Sequence, residues 1–115
     1  MPSKTRGPRP PLSPAILHIL LALSRGDLHG LGIADEAARA SDGVVVLGPG
    51  TLYRSLYTMR ESGLVASVEA AAASDPRRKS YRITPDGLRL LQAELARLER
   101  LIDYAREKDV LAEGA

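Results

Sequence analysis

The chain has 115 residues, a formal net charge of +2, and no cysteine, tryptophan or phenylalanine. That length suits one domain with a modest core rather than an elaborate enzyme cleft. Without cysteine there is no disulfide framework, thiol nucleophile or thiolate zinc site, and two histidines, His18 and His29, are too few and too far apart to suggest a metal centre. No cofactor is expected. The most apolar run, Ile16 to Leu23, is far short of a membrane span and no cleavable leader pattern precedes it, so the expected compartment is the cytoplasm. Charge is unevenly placed: residues 1–82 carry a balance of +4 and residues 83–115 one of −2, which hints at a polyanionic partner for the larger part.

Residues 1–12 hold four prolines and three cations, Lys4, Arg6 and Arg9, and read as a flexible basic arm. In "LSPAILHILLAL" Ser13 is a natural N-cap and Pro14 suits the first helical position, with Leu12 placed to staple onto Leu17. The helix that follows has almost no polar face, so it must be covered on more than one side, by the domain's own core and by a partner subunit. His18 on it reads as a satisfied core or interface histidine rather than a ligand. "SRGDLHG" is a loop. "LGIADEAARAS" predicts a second helix with Ile33, Ala37 and Ala40 inward and Ala34 beside them, stopped by Asp42-Gly43. The β-branched "VVVL" at 44–47 predicts a small strand.

Gly48-Pro49 opens a third helix, over residues 49–62, that Gly63 closes. Leu52, Leu56 and Met59 make its inward stripe. Its outer arc holds Tyr53, Arg54, Ser55, Tyr57, Thr58 and Arg60, where a solvated surface would show lysine and glutamate pairs. Arginine can donate two parallel hydrogen bonds to guanine, and hydroxyls bond phosphate or base edges. Backbone N–H groups at Gly48 to Thr51, Pro49 excepted, favour a phosphate at the helix start. Alternatively, Tyr53 or Tyr57 packs its ring on the domain and wets only its hydroxyl.

"LVASVEA" and "KSYRIT" read as two strands joined by a turn that ends in Arg77, Arg78 and Lys79, with Arg82 close by. Adjacent cations repel, so folding alone gives no reason to gather them; a phosphate backbone does. Thr84 caps a final helix over 84–108, before a short tail at 109–115. Leu88, Leu91, Leu95, Leu98, Ile102 and Ala105 recur on it at alternating spacings of 3 and 4, a heptad seam. The seam predicts a second copy of the chain as partner, with Leu17, Leu20, Leu88, Leu91, Leu95, Leu98 and Ile102 at the dimer interface.

The fold class is therefore mainly α with a small β wing: a winged helix-turn-helix over 13–83 plus a long C-terminal dimerisation helix. Thr51, Tyr53, Arg54, Ser55, Tyr57, Thr58, Arg77, Arg78 and Lys79 are the candidate DNA-binding residues. No catalytic triad, phosphate loop or paired carboxylates argue for an enzyme. The alternative is a winged-helix protein–protein adaptor that uses the seam and wing without DNA.

"LHGLGI", "GPGTLYRSLYTMRESGLV" and "RRKSYRITPDGLRLL" together resemble the PadR family of transcriptional regulators, over about residues 13–95. The resemblance implies a homodimeric repressor of double-stranded operator DNA. Its C-terminal helix, helped by the first, would form the dimer, and its third helix would enter the major groove. Thr51, Tyr53 and the outer arc become the DNA face, and Arg77, Arg78 and Lys79 the backbone contacts. Some relatives respond to phenolic acids or drugs, which adds a small-molecule effector to the expected partners. The chain departs from the family pattern at Arg54, where proline is frequent, at Gly48, where serine often caps the helix, and at Leu31, where an aromatic is frequent. Lacking tryptophan and phenylalanine, it does not reproduce the aromatic drug sandwich of some relatives.

Overall fold

The computed structural model describes residues 7–68 and 79–112. Its elements run α1 (Pro14–Leu23), β1 (Leu28–His29), α2 (Gly30–Ala40), α3 (Pro49–Glu61), β2 (Val65–Val68), β3 (Ser80–Ile83) and α4 (Pro85–Glu107). The expected caps start two helices. Ser13 Oγ accepts the Ile16 N–H at 3.2 Å before Pro14, and Thr84 Oγ1 accepts the Gly87 N–H at 3.0 Å before Pro85. Such caps satisfy donors that have no partner inside the helix, each contributing on the order of 1 kcal/mol. His18 Nδ1 donates to the Pro14 carbonyl at 2.8 Å, so it is satisfied locally.

One core joins all four helices to the sheet. Ile19, Leu20 and Leu23 of α1 are buried in it with Ile33 and Ala37 of α2, Leu52, Leu56 and Met59 of α3, Leu64 and Val65, Tyr81 of β3 and Leu91 of α4. Each large aliphatic side chain so buried contributes roughly 1.5–3 kcal/mol against exposure. Leu12 belongs to the same core, so the ordered body begins before the first cap.

The three-stranded antiparallel sheet has the order β1-β3-β2. Val65 lies opposite Ile83 and Val68 opposite Ser80, while Leu28 pairs with Tyr81 and His29 with Ser80 on the other edge of β3. Two expectations change here. The segment 44–47 forms no strand: Val44 and Val46 are exposed while Val45 and Leu47 turn inward, and the place beside β3 is taken by Leu28-His29, from the stretch expected to be a loop. Ala40 is exposed rather than inward, because α2 ends there and the chain turns away through Asp42, whose φ is +52°.

The junction of α3, the sheet and α4 is tight. Gly63, with φ +79°, ends α3 as expected. The Thr84 hydroxyl, besides capping α4, donates to the Gly63 carbonyl at 2.6 Å. Gly87 then passes so close to the Leu64 carbonyl that a β-carbon at this position would collide with it.

Candidate nucleic-acid interface

The inward stripe of α3 fixes what the helix can offer outward. Leu52, Leu56 and Met59 are buried, and Gly50, Thr51, Arg54, Tyr57, Thr58 and Glu61 are exposed on the opposite arc. Gly48 precedes the helix without a side-chain cap, which leaves its first turn able to donate backbone N–H groups to an anion.

The two tyrosines part company. Tyr53 is half-buried against the core, with its hydroxyl end laid over Gly30 at the start of α2, where even a methyl group would strike it. Of the two alternatives for these rings, packing describes Tyr53. Tyr57 stays 59% exposed, with the Arg60 guanidinium 5.8 Å from its ring centroid, within reach of a cation–π attraction. Ser55 is half-buried at the edge of the exposed arc.

Tyr53, Leu56, Tyr57, Arg60 and Tyr81 line a cleft of about 180 Å³ between α3 and β3. Burial pushes the Tyr81 phenol above its ordinary value, helped by nearby Tyr53 and opposed by Arg60, so it is a neutral hydroxyl at physiological pH. The helical wheel puts Arg60 on the outer arc without assigning it a contact; the structure sets it between α3 and the wing strand.

Of the wing cations, Lys79 is half-buried just before β3, while Arg77 and Arg78 lie outside the described residues. Arg82 is committed elsewhere. Its guanidinium donates to both oxygens of Asp27 at 3.0 and 2.8 Å, holding that carboxyl below its usual range. This pair fastens β3 to the segment before β1, and Arg82 adds little free charge to the wing.

The surface assigned to a second copy is narrower than expected. Leu20 is 0% exposed and Leu91 3%, both enclosed by the subunit's own core, so these two leave the interface set. The heptad seam turns inward at Leu91 because the first half of α4 packs on α1. Leu17 and Leu98 are half-buried, whereas Leu88, Leu95 and Ile102 are exposed, as are Leu101 and Tyr104 beside them. A position among leucines does not single out Glu94. It is buried, its Oε1 accepts Arg97 Nε at 2.7 Å, and its Oε2 accepts the Leu12 N–H at 3.0 Å. Only its place three residues before Arg97 could have signalled this role.

Residues 17–93 match the Transcriptional regulator PadR-like family. The chain belongs to that family. A transcriptional regulator of Mycobacterium tuberculosis is 34% identical to this PadR-like chain over 85 residues, covering 74% of it and 76% of the relative. A transcriptional regulator from Clostridium thermocellum superposes with a TM-score of 0.67 at 27% identity, over 84% of this chain and 90% of the other. Bacillus subtilis PadR, solved in complex with operator DNA, shares the fold with a TM-score of 0.60 at 20% identity, over 70% of this chain and 45% of that one. Among the described residues of this PadR-like regulator no helix is long and apolar enough to cross a membrane.

Proposed function

We propose that this PadR-like transcriptional regulator is a homodimeric, sequence-specific DNA-binding repressor. On this reading α3 enters the major groove and the wing, through Arg77, Arg78 and Lys79, rests on the phosphate backbone. The observation that carries it is the exposed arc of α3. Gly50 brings the backbone close, Thr51, Tyr57 and Thr58 present hydroxyls, and Arg54 presents a guanidinium, all on the side opposite the buried Leu52, Leu56 and Met59. The related PadR bound to operator DNA supports the same use of the shared fold. The exposed Leu88, Leu95, Leu101, Ile102 and Tyr104 on α4 support pairing with a second copy. A small-molecule effector that relieves binding fits this reading.

The test is a gel shift on the promoter regions nearest the protein's own gene, with a salt titration. At roughly three to four phosphate contacts per subunit, log affinity falls against log salt with a slope of about −5 to −7. Replacing Arg77, Arg78 and Lys79 by alanine weakens binding alike for all sequences. Retention of no promoter fragment, or a flat salt response, rejects the DNA reading in favour of a winged-helix adaptor.

A further inference from the structure

We infer that the junction of α3 and the wing strand β3 is a seat for a backbone phosphate of DNA, with Arg60 as its cation and the Tyr57 ring as the brace that aims it. This rests on the proposed entry of α3 into the major groove.

Position along the helix separates Arg60 from the residues that would meet base edges. Gly50 lies in the first turn of α3 and Arg60 in its last. At 1.5 Å per residue the two stand about 15 Å apart along the axis, more than the roughly 12 Å width of the major groove. With the first turn against the bases, as in helix-turn-helix docking, Arg60 stands at the lip of the groove. There the sugar–phosphate strand runs.

The flank of α3 that carries Arg60 is the one turned to the wing. Tyr53, Tyr57 and Arg60 follow one another at i, i+4 and i+7 and so share one stripe. With Leu56 and Tyr81 of β3 they line the cleft of about 180 Å³. A helix seated in the groove and a wing laid beyond it would lie on either side of one strand of the duplex. The cleft between them would face that strand.

The chemistry fits a phosphate. Arg60 is exposed and leans back toward the start of α3, as helical side chains do, which sets its guanidinium 5.8 Å from the Tyr57 ring centroid. A planar cation held against a ring keeps its N–H groups free to donate in parallel to phosphate oxygens. Among the described residues Arg60 pairs with Glu61, at 3.9 Å and with both side chains well exposed. Such a pair is weak and yields to a phosphate. The floor of the cleft presents no negative charge, since the Tyr81 phenol is neutral. The hydroxyl of the exposed Tyr57 is a further donor at the same place.

The experiment measures fluorescence anisotropy of a labelled random-sequence 30-base-pair duplex across a salt series, using the full chain. Arg60→Ala should unfold near the wild-type thermal midpoint. Its salt slope should become shallower by roughly 0.9 for each phosphate no longer neutralised, about 1.8 when both subunits of a dimer bind. Arg60→Lys, which keeps the charge, should restore the slope. If the arginine only complements the carbonyl end of α3, Arg60→Ala lowers the thermal midpoint and keeps the wild-type slope, and the phosphate seat is overturned. Tyr57→Leu removes the ring that Tyr57→Phe keeps. The affinity gap between these two variants should close in an Arg60→Ala background; a gap that persists overturns Tyr57 as the brace. A wild type with no salt-dependent binding rejects the DNA reading and the phosphate seat together, whereas a wild type that binds beside an Arg60→Ala variant of unchanged slope rejects the seat alone.

Discussion

The carboxylate of Glu94, 1% exposed, holds the backbone N–H of Leu12 across 82 residues of sequence. Together with Arg97, which donates to both of its oxygens, this contact closes the N-terminal segment onto α4. Hydrogen bonds from Arg97, then from the Leu12 N–H, hold the Glu94 carboxyl below its ordinary value, and they outweigh the opposing effect of burial. Its folded-state pKa therefore lies below its unfolded-state pKa. The stability it contributes is complete above the ordinary glutamate value of 4.5 and is lost as pH falls through the folded value. Glu94→Gln should lower the thermal midpoint at pH 7 by several degrees and shrink the difference between pH 7 and pH 3. An unchanged acid limb in calorimetry would mean that the carboxylate charge plays no part in the anchor.

Tyr53 and Arg54 are neighbours with separable tasks. Tyr53→Ala removes a ring packed over Gly30 and on the core, so it should cost folding stability, about 2–4 kcal/mol by analogy with other aromatic truncations. Arg54 is exposed, and Arg54→Ala should leave stability within about 0.5 kcal/mol. On the proposed function it should nevertheless weaken operator binding by about 1–3 kcal/mol while sparing non-specific binding. Urea unfolding and DNA titration of the two variants side by side separate the roles. Equal losses on operator and random DNA would reduce Arg54 to a phosphate contact.

Leu91 and Leu95 belong to one heptad seam but not to one surface. Leu95→Asp places a charge on a face 40% exposed in the single chain, and on the proposed dimer it should give folded monomers in sedimentation. Leu91→Asp puts the charge inside the subunit core, where the cost of an unpaired buried charge should unfold the subunit itself. A Leu95→Asp variant that stays dimeric would place the subunit contact elsewhere.

Gly87→Ala tests the packing of α4 against the strand. The added methyl meets the Leu64 carbonyl, a backbone atom that cannot swing aside, so destabilisation of roughly 1–3 kcal/mol or more is expected. Urea unfolding within about 0.5 kcal/mol of wild type would show that α4 shifts to accommodate it.

Much of this architecture could be read from residue order because local rules and global packing agree. Ser13-Pro14, Thr84-Pro85 and Gly63 mark helix ends where they are found, and Leu52, Leu56 and Met59 turn inward as their spacing requires. The rest depended on contacts distant in sequence. Val44 to Leu47 has the composition of a strand, but a strand needs an edge to pair with, and Leu28-His29 occupies the one beside β3. Periodicity identifies the apolar face of α4 without saying which part α1 covers, so Leu20 and Leu91 read as interface. Glu94 is not singled out by spacing, because its partners are a backbone N–H far upstream and an arginine on its own helix. On the candidate site, spacing finds the exposed arc, while the inward turn of Tyr53 and the pairing of Arg82 with Asp27 require the folded chain.

The Thr84 hydroxyl holds both the carbonyl of Gly63, just past the end of α3, and the N–H of Gly87 in the first turn of α4. One side chain is thus the pivot between the helix proposed to read DNA and the helix proposed to join two subunits. With that pivot stiff, the two halves of the proposed dimer would behave like the blades of a pair of callipers. In such a dimer the crossing angle of the two α4 helices would set the gap between the two α3 helices. A ligand that altered that angle would move the reading heads off the pitch of the duplex without touching a single residue on them.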